Sequence, residues 1–251
     1  MTLILTVALG AALAGFVQGL SGFGFGLTAM ALWAWTLDPK LAATLSVVGS
    51  LTGQVLAAVT VRRGWDWRAL QPFVAGGLAG LPLGLWLLPR LDVPLFKLVL
   101  GVMLMIVCPL MFFASRLPRV AGSRAGDALA GVAGGVMGGL GGFTGVVPTL
   151  WCTMRGFDRD RQRAIIQNFN LALQVVTFAS YIGSGIIEAR MLPLLAIVPP
   201  AVVIPVLLGA RVYLGISDTG FRKLVLGLLA ASGIALLASA LPVLLARWAG
   251  G

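Results

Sequence analysis

The chain has 251 residues, of which 59% are hydrophobic and only 10% are charged. A soluble domain carries about 25% charged residues, whereas residues 41–61, 98–115 and 164–187 contain none at all. Runs of this length can cross the ~30 Å hydrocarbon core of a bilayer. The composition therefore excludes a soluble protein and predicts an all-α polytopic membrane protein.

Charge and histidine content exclude two further classes. The net charge is +10, but the basic residues lie in short connections between apolar runs, which is typical of membrane topology and not of a nucleic-acid partner. Residues 19–22 match the G-x-S-G of intramembrane rhomboid proteases, whose serine needs a histidine partner. The chain has no histidine. We therefore predict neither an enzyme nor a cofactor or metal site.

The first half opens with a broken unit at residues 3–37, interrupted by GLSGFGFG at 19–26. Glycine in a helix interior costs about 1 kcal/mol relative to alanine, so one helix should end here and a short one restart over 27–37. Membrane spans are then predicted near 41–61, 69–89 and 95–115. Pro39, Pro94 and Pro118 lie at boundaries of these elements.

The second half repeats this plan after a basic linker at residues 116–126. Its broken unit, 127–155, is interrupted by GGLGGFTG at 138–145 and restarts as a short helix over 146–155. Pro148 falls in the first turn of that helix, where its missing N–H has no cost. Further spans are predicted near 163–187, 191–213 and 221–246.

The two halves align with one another. Trp33 matches Trp151, Ser50 matches Asn170 and Gln54 matches Gln174, and FKLVLG at 96–101 matches FRKLVLG at 221–227. We interpret this as an internal duplication within one integral membrane domain. Residues 1–115 form the first repeat and 127–251 the second, each a re-entrant hairpin followed by three transmembrane helices.

Basic residues favour hairpins over full crossings for the broken units. If both units crossed the membrane, the 18 basic residues would divide almost evenly between the two sides. If both turn back, one side holds 13 of the 18, as expected for a cytoplasmic face. The remaining five are Lys40, Arg90, Lys97, Arg190 and Arg247. The prediction is inverted repeats with both termini in the periplasm of a bacterial inner membrane.

The paired glycine breaks predict an anion site. A short helix that begins after a glycine loop presents unpaired backbone N–H groups and about half a positive charge. Two such ends near the middle of a membrane can bind an anion without a buried cation. The simpler alternative is that these glycines only permit close helix packing. Candidate ligands of the anion at the breaks are Ser21, Gly22, Gly24, Thr28, Gly141, Gly142 and Thr144.

A polar stripe at helical spacing runs along the span 163–187, and a shorter one along 41–61. Polar groups in hydrocarbon normally face the interior of a helix bundle. Ser50, Gln54, Asn170 and Gln174 are predicted to donate hydrogen bonds to the bound oxyanion; interhelical packing is the alternative role. Asn168 lies on a different face and is assigned to packing. The long stripe comprises Gln167, Asn170, Gln174, Thr177 and Tyr181.

The two glycine-rich segments resemble those of the sulfite exporter TauE/SafE family, also called the TSUP transporters. Residues 13–32 and 135–148 carry the likeness, which extends over nearly the whole chain. The family pattern in the second half is roughly G-x-G-G-G-x4-P, and Phe143 stands at its third glycine here. The resemblance implies transport, often outward, of a small sulfur-containing or organic anion such as sulfite, sulfoacetate or thiosulfate.

We therefore expect a secondary transporter whose partners are a small anion and the bilayer. An anion channel and a structural membrane component without a transported ligand are the alternatives. The identity of the anion, the direction, the coupling ion and the oligomeric state do not follow from the sequence.

Overall fold

The computed structural model describes residues 2–60, 64, 66–113, 119–213 and 218–249, and these residues form ten α-helices and no strand. Two short 3-10 turns, Leu88–Arg90 and Ala189–Met191, precede the fifth and ninth helices. In chain order the helices are α1 Thr2–Ser21, α2 Phe25–Trp33, α3 Pro39–Thr60, α4 Trp67–Leu87, α5 Val93–Phe112, α6 Arg124–Gly141, α7 Val146–Met154, α8 Arg159–Gly183, α9 Leu192–Tyr213 and α10 Asp218–Ala249.

The first broken unit is a hairpin, because α2 folds back along α1. The Trp33 indole at the end of α2 donates a hydrogen bond to the Thr6 carbonyl, 3.3 Å away. The same ring lies so close to Gly10 that any Cβ there would overlap it. We call α1 and α2 hairpin 1.

The second broken unit repeats this shape. The Trp151 indole at the end of α7 donates to Asp127 Oδ1 at 2.8 Å, close to the start of α6. It also covers Gly126, as Trp33 covers Gly10. We call α6 and α7 hairpin 2. In both hairpins the arms are unequal, at 20 and 9 residues in the first and 18 and 9 in the second.

Ion pairs identify the two ends of the helix bundle. The Arg161 and Asp66 side chains are 3.0 Å apart where α8 and α4 begin, and we call this the Asp66 end. Arg247 pairs with Asp92 where α10 ends and α5 begins, and we call this the Asp92 end. The helices α4 and α8 run from the first end to the second, and α5 runs back.

Close glycine contacts fix the directions of the remaining long helices. Gly76, Gly80 and Gly84 of α4 lie against the backbone of Ala128, Val132 and Val136 of α6, so these helices run parallel. Gly15 and Gly19 of α1 lie in the same way against Val202 and Val206 of α9. The helix α9 follows α8 and therefore begins at the Asp92 end, as α1 beside it does. Hairpin 1 thus starts at the Asp92 end and hairpin 2 at the Asp66 end. Glycine at these positions allows the backbones to touch, as in other membrane helix pairs.

The outer surface is apolar, as a bilayer requires. Large hydrophobic side chains such as Leu129, Ile204 and Leu228 are more than 60% exposed. Seven of the described helices are long and apolar enough to cross a membrane. The all-α, polytopic membrane class predicted from composition is thus confirmed. Six of the seven are the predicted spans, and the seventh is α1, the long arm of hairpin 1.

Several element boundaries differ from the sequence prediction. The short helix α2 covers residues 25–33 and not 27–37, because Gly24 takes φ +96° and begins the helix directly. The helix α8 begins at Arg159, four residues before the predicted span, because the Asp158 carboxylate accepts the Arg161 amide and caps it. The last residues of the predicted linker, 124–126, already belong to α6. Arg62, Arg63 and Arg116, which the predicted topology places in the cytoplasm, lie outside the described residues.

Candidate functional site

The break in hairpin 1 is a tight turn built on two glycines. Gly22 takes φ +78° and Gly24 takes φ +96°, a region that side chains with a Cβ disfavour. The Ser21 hydroxyl donates to the Val17 carbonyl at 2.7 Å and accepts the Phe23 amide at 3.3 Å. Gly24 occupies the N-cap position of α2, and no described side chain accepts a hydrogen bond from the first amides of this helix. The first amides of α2 therefore have no intrahelical partner.

The break in hairpin 2 is built on a single glycine with positive φ. Gly142 takes φ +78°, and its amide donates to the Gly138 carbonyl at 2.8 Å. The helix α7 restarts at Gly145, again without a cap from any described side chain. Pro148 lies in the first turn of α7, as predicted. Thr144 Oγ1 donates to Asn170 Oδ1 at 2.8 Å and so ties this break to α8.

Two matching glutamines brace the breaks. Gln54 Nε2 of α3 donates to the Gly22 carbonyl at 3.1 Å. Gln174 Nε2 of α8 donates to the Gly142 carbonyl at 2.8 Å and to Ser50 Oγ at 3.1 Å. The Gly22 and Gly142 carbonyls follow the last residues of α1 and α6, where backbone carbonyls have no N–H donor within the helix. The amides thus satisfy the acceptors that each break frees.

The rest of the polar stripe also faces the interior. Gln167, Asn170, Gln174, Thr177 and Tyr181 are all at most 3% exposed, as predicted for polar groups in a membrane bundle. Tyr181 donates its hydroxyl to the Gly139 carbonyl at 2.8 Å. Asn168, by contrast, donates to the Gly64 carbonyl at 3.3 Å, in agreement with its assignment to a different face and to packing.

The two breaks meet inside the bundle. A Cβ built on Gly26 would lie 3.0 Å from the Gly142 carbonyl oxygen. Ser46 Oγ of α3 donates to the Gly141 carbonyl at 2.7 Å and adds to this contact. Both breaks, with Ser50 and Asn170, line a cavity of only about 10 Å³. That volume is close to the minimum for a single water, so the passage between the breaks is closed in this structure.

A larger cavity of about 240 Å³ opens on one side of this contact. Its inner wall is the hairpin 1 break, including Ser21, Gly22, Gly24 and Thr28. Its outer wall is formed by the parts of α5, α7, α8 and α10 nearest the Asp66 end: Met111, Thr149, Thr153, Gln162, Arg163, Ile166, Gln167, Val225, Leu226 and Leu229. The cavity thus approaches the break from the Asp66 end.

The structure divides the sequence-predicted ligands into two groups. Ser21, Gly22, Gly24 and Thr28 line the large cavity. Within the described part of the chain, the buried Thr28 Oγ1 has no hydrogen-bond partner. The second group lies at or behind the closed contact, and an anion-binding role for its members stays a prediction. It comprises Ser50, Gly141, Gly142, Thr144, Asn170 and Gln174. Gln54 lies apart from both groups, on a cavity of about 20 Å³ beside Arg163 and Gln167, and its anion-binding role likewise stays a prediction.

The residue that sequence reasoning missed is Arg163. The predicted span begins only at residue 163, which places the basic residues 159–163 at its cytoplasmic edge. In the structure α8 already begins at residue 159, and Arg163 lies one turn inside it on the cavity wall. Arg161 is the solvated member, 46% exposed and paired with Asp66. The spacing in the sequence could have indicated this position. One face of a helix carries the polar stripe at helical intervals, and Arg163 extends it by one turn before Gln167, Asn170 and Gln174.

Comparison with known proteins decides the family. The model of the sulfite exporter TauE/SafE family matches residues 7–236. The chain belongs to this family. No curated protein and no solved structure matches the chain.

Membership confirms the resemblance carried by the two glycine-rich segments. TauE/SafE proteins are membrane transporters and not enzymes, and the family suggests sulfur anions as substrates. A multi-pass membrane protein with a small-molecule substrate follows for this chain.

Proposed function

We propose that this TauE/SafE protein is a secondary transporter that exports a small sulfur oxyanion or organosulfonate, such as sulfite, sulfoacetate or thiosulfate, across the bacterial inner membrane. The anion binds near mid-membrane, where the two glycine breaks meet. The observation that carries the proposal is the convergence of two uncapped short helices, α2 and α7, at the Gly26–Gly142 contact. Uncapped helix starts favour negative charge through their free amides and their dipoles.

The arrangement of helices supports two inverted repeats, residues 1–115 and 127–251. Hairpin 1 and hairpin 2 start at opposite ends of the bundle. The first helix of each repeat packs parallel to the fourth helix of the other, as α1 does on α9 and α6 on α4. Such exchange of partners is expected of two repeats related by a two-fold axis in the membrane plane.

The basic residues orient this arrangement in the membrane. The Asp66 end carries Arg68, Arg119, Arg124 and Arg155, so we assign it to the cytoplasm under the positive-inside rule. Both termini then lie in the periplasm. The large cavity faces the cytoplasm, which is the side from which an exporter loads its substrate.

A gated transporter fits the cavities better than an open channel does. The cavity of about 240 Å³ and the cavity of about 10 Å³ both reach the hairpin 1 break. The smaller one is too narrow for any oxyanion of sulfur. Passage therefore requires the two breaks to separate, which a secondary transporter achieves by moving one repeat against the other.

Counterflow in proteoliposomes tests the proposal. Vesicles loaded with unlabelled sulfoacetate should accumulate radiolabelled sulfoacetate above its equilibrium level, and flux should saturate. Thiosulfate should compete, and the neutral dimethyl sulfone should not. Flux that rises linearly with concentration and shows no counterflow would support a channel. Absence of any flux or binding for the whole set of anions would refute a sulfur-anion transporter.

Cysteine labelling tests the topology. In a variant without Cys108 and Cys152, a cysteine at Arg119 should react only from the cytoplasm and one at Ala249 only from the periplasm. Labelling of both from the same side would contradict the inverted repeats.

A further inference from the structure

We propose that Arg163 is the residue that captures the anionic substrate on its way to the closed contact, with Gln167 beside it as a second donor. This inference rests on the proposed anion transport and adds the residue that determines charge selectivity. It predicts a one-sided loading site, next to the hairpin 1 break and open toward the Asp66 end.

The position of Arg163 carries the inference. Its side chain lines the cavity of about 240 Å³ and also a neighbouring cavity of about 20 Å³. A Cβ built on Gly22 would lie 3.8 Å from Arg163 Nε and 3.2 Å from Gln167 Nε2. The guanidinium group and the amide therefore border the break itself. A guanidinium in a partly enclosed cavity binds an oxyanion through several charge-assisted hydrogen bonds.

Groups on the opposite wall of the cavity suit the same ligand. Gly24 and Thr28 belong to the uncapped start of α2, whose dipole favours an anion. Thr28 Oγ1 is buried and, among the described residues, has no hydrogen-bond partner. A bound oxyanion would accept this hydroxyl. Three kinds of donor thus face one space: a guanidinium, a side-chain amide and a hydroxyl.

The duplication offers an internal comparison for this site. In the alignment that matches Gln54 with Gln174, Arg163 corresponds to Ala43 and Gln167 to Val47. Ala43 and Val47 are apolar and fully buried. The first repeat therefore has no cation at the equivalent place, and a cavity formed there would attract anions less strongly. We therefore expect the anion to bind more tightly when the site is open toward the Asp66 end than when it is open toward the Asp92 end.

Binding measurements on single variants test the role of Arg163. Arg163→Gln should lower the affinity for sulfoacetate and thiosulfate by about 10- to 100-fold, as expected for loss of a charged hydrogen-bond partner. Arg163→Lys keeps the charge but loses the fork of donors, so we expect an intermediate loss. Arg161→Gln is the matched control, because it removes the same charge from an exposed ion pair on the same turn of α8. Its affinity should stay within about twofold of the unmodified protein.

The outcomes separate this inference from the proposed function. If the unmodified protein binds sulfoacetate and Arg163→Gln binds it equally well, Arg163 is not the capture residue, although the transporter proposal stands. Equal losses in Arg161→Gln would show a general effect of surface charge and also overturn the inference. If Arg163→Gln does not fold, unchanged affinity in Arg163→Lys would likewise exclude the proposed fork of hydrogen bonds from Arg163. If the unmodified protein binds none of the anions, both proposals fail.

Discussion

Hairpin 1 and hairpin 2 share the arrangement of a long and a short arm but have different polar supports. In each, a tryptophan of the short arm covers a glycine of the long arm, and a glycine at φ +78° forms the break. In hairpin 2 the base is fixed by Asp127, which accepts from Trp151 at 2.8 Å and from Arg155 at 2.7 Å. Hairpin 1 has only the Trp33 contact with a backbone carbonyl at its base, among the described residues.

The breaks themselves differ in the same direction. Around hairpin 2, Ser46, Tyr181 and Gln174 donate to carbonyls of the α6 end, and Thr144 is bound to Asn170. The hairpin 1 break lies on the large cavity and exposes Ser21. The comparison teaches that two hairpins of similar outline can differ in their polar side chains, which bury one break and leave the other on the wall of the large cavity.

The largest expected effect is the addition of a side chain at the breaks. Gly142→Val should lower stability by about 3 kcal/mol or more, because a Cβ there meets positive φ and lies 3.3 Å from Gln174 Nε2. A Cβ at Gly24 would lie 3.5 Å from Ser21 Oγ, an ordinary contact distance. The loss of stability in Gly24→Val should therefore come mainly from the positive φ and amount to about 1–2 kcal/mol. Both should abolish sulfoacetate transport. Thermal unfolding in detergent and a proteoliposome assay measure the two effects, and full transport by both variants would leave the glycines as packing residues.

The second prediction removes the Asp127 contacts at the base of hairpin 2. Asp127 is only 4% exposed, and its removal leaves the Arg155 charge without its carboxylate. Asp127→Ala should therefore destabilise the protein by about 3 kcal/mol. Trp33→Phe removes the corresponding hydrogen bond of hairpin 1 and should cost about 1 kcal/mol. Equal losses of unfolding free energy would mean that the two hairpins are supported alike.

The third prediction concerns the matching glutamines. Gln174→Ala should cost about 1–3 kcal/mol, because it leaves the buried Gly142 carbonyl without a donor. Gln54→Ala should lower stability less, since the hydrogen bond from Gln54 to the Gly22 carbonyl is longer, at 3.1 Å. Gln54 also borders the cavity of about 20 Å³. Asn168→Ala is the control and should leave sulfoacetate affinity unchanged. If Gln174→Ala reduces affinity but not stability, the amide binds the anion directly and does not act as a brace.

The smallest effect separates an exposed ion pair from the buried one. The Arg247 side chain, with help from the Leu95 amide, holds the pKa of Asp92 below its ordinary value of 3.8. A carboxyl with a lowered folded-state pKa contributes stability above its unfolded pKa and loses it as pH falls through the folded pKa. Asp92 is about half exposed, so the contribution should be small and screened by salt. Arg247→Gln should reduce this acid-side loss in thermal unfolding between about pH 5 and 2, because only the Leu95 amide then lowers the pKa of Asp92. An unchanged loss would assign it to other carboxylates.

Some site residues could be predicted from sequence because their reasons are local. Glycine-rich interruptions in apolar helices must end those helices, so both breaks were predictable, as was the inward face of the Gln167–Tyr181 stripe. Arg163 was not, because a cation near a predicted span end is normally solvated. Only the early start of α8 and the position of hairpin 1 bring it onto the cavity wall.

The sequence by itself determined the membrane class, the two breaks and the helices between them, because hydrophobic length and glycine content act within single segments. The tertiary structure decided which helices pair, that Trp33 and Trp151 hold the short arms against the long ones, and that the amides of Gln54 and Gln174 reach the carbonyls of the breaks. It also decided that the large cavity lies on one side of the contact between the breaks. Several of these features depend on contacts between residues far apart in the chain, such as Gln174 and Ser50, which are 124 positions apart, and no local pattern specifies the geometry of such a contact.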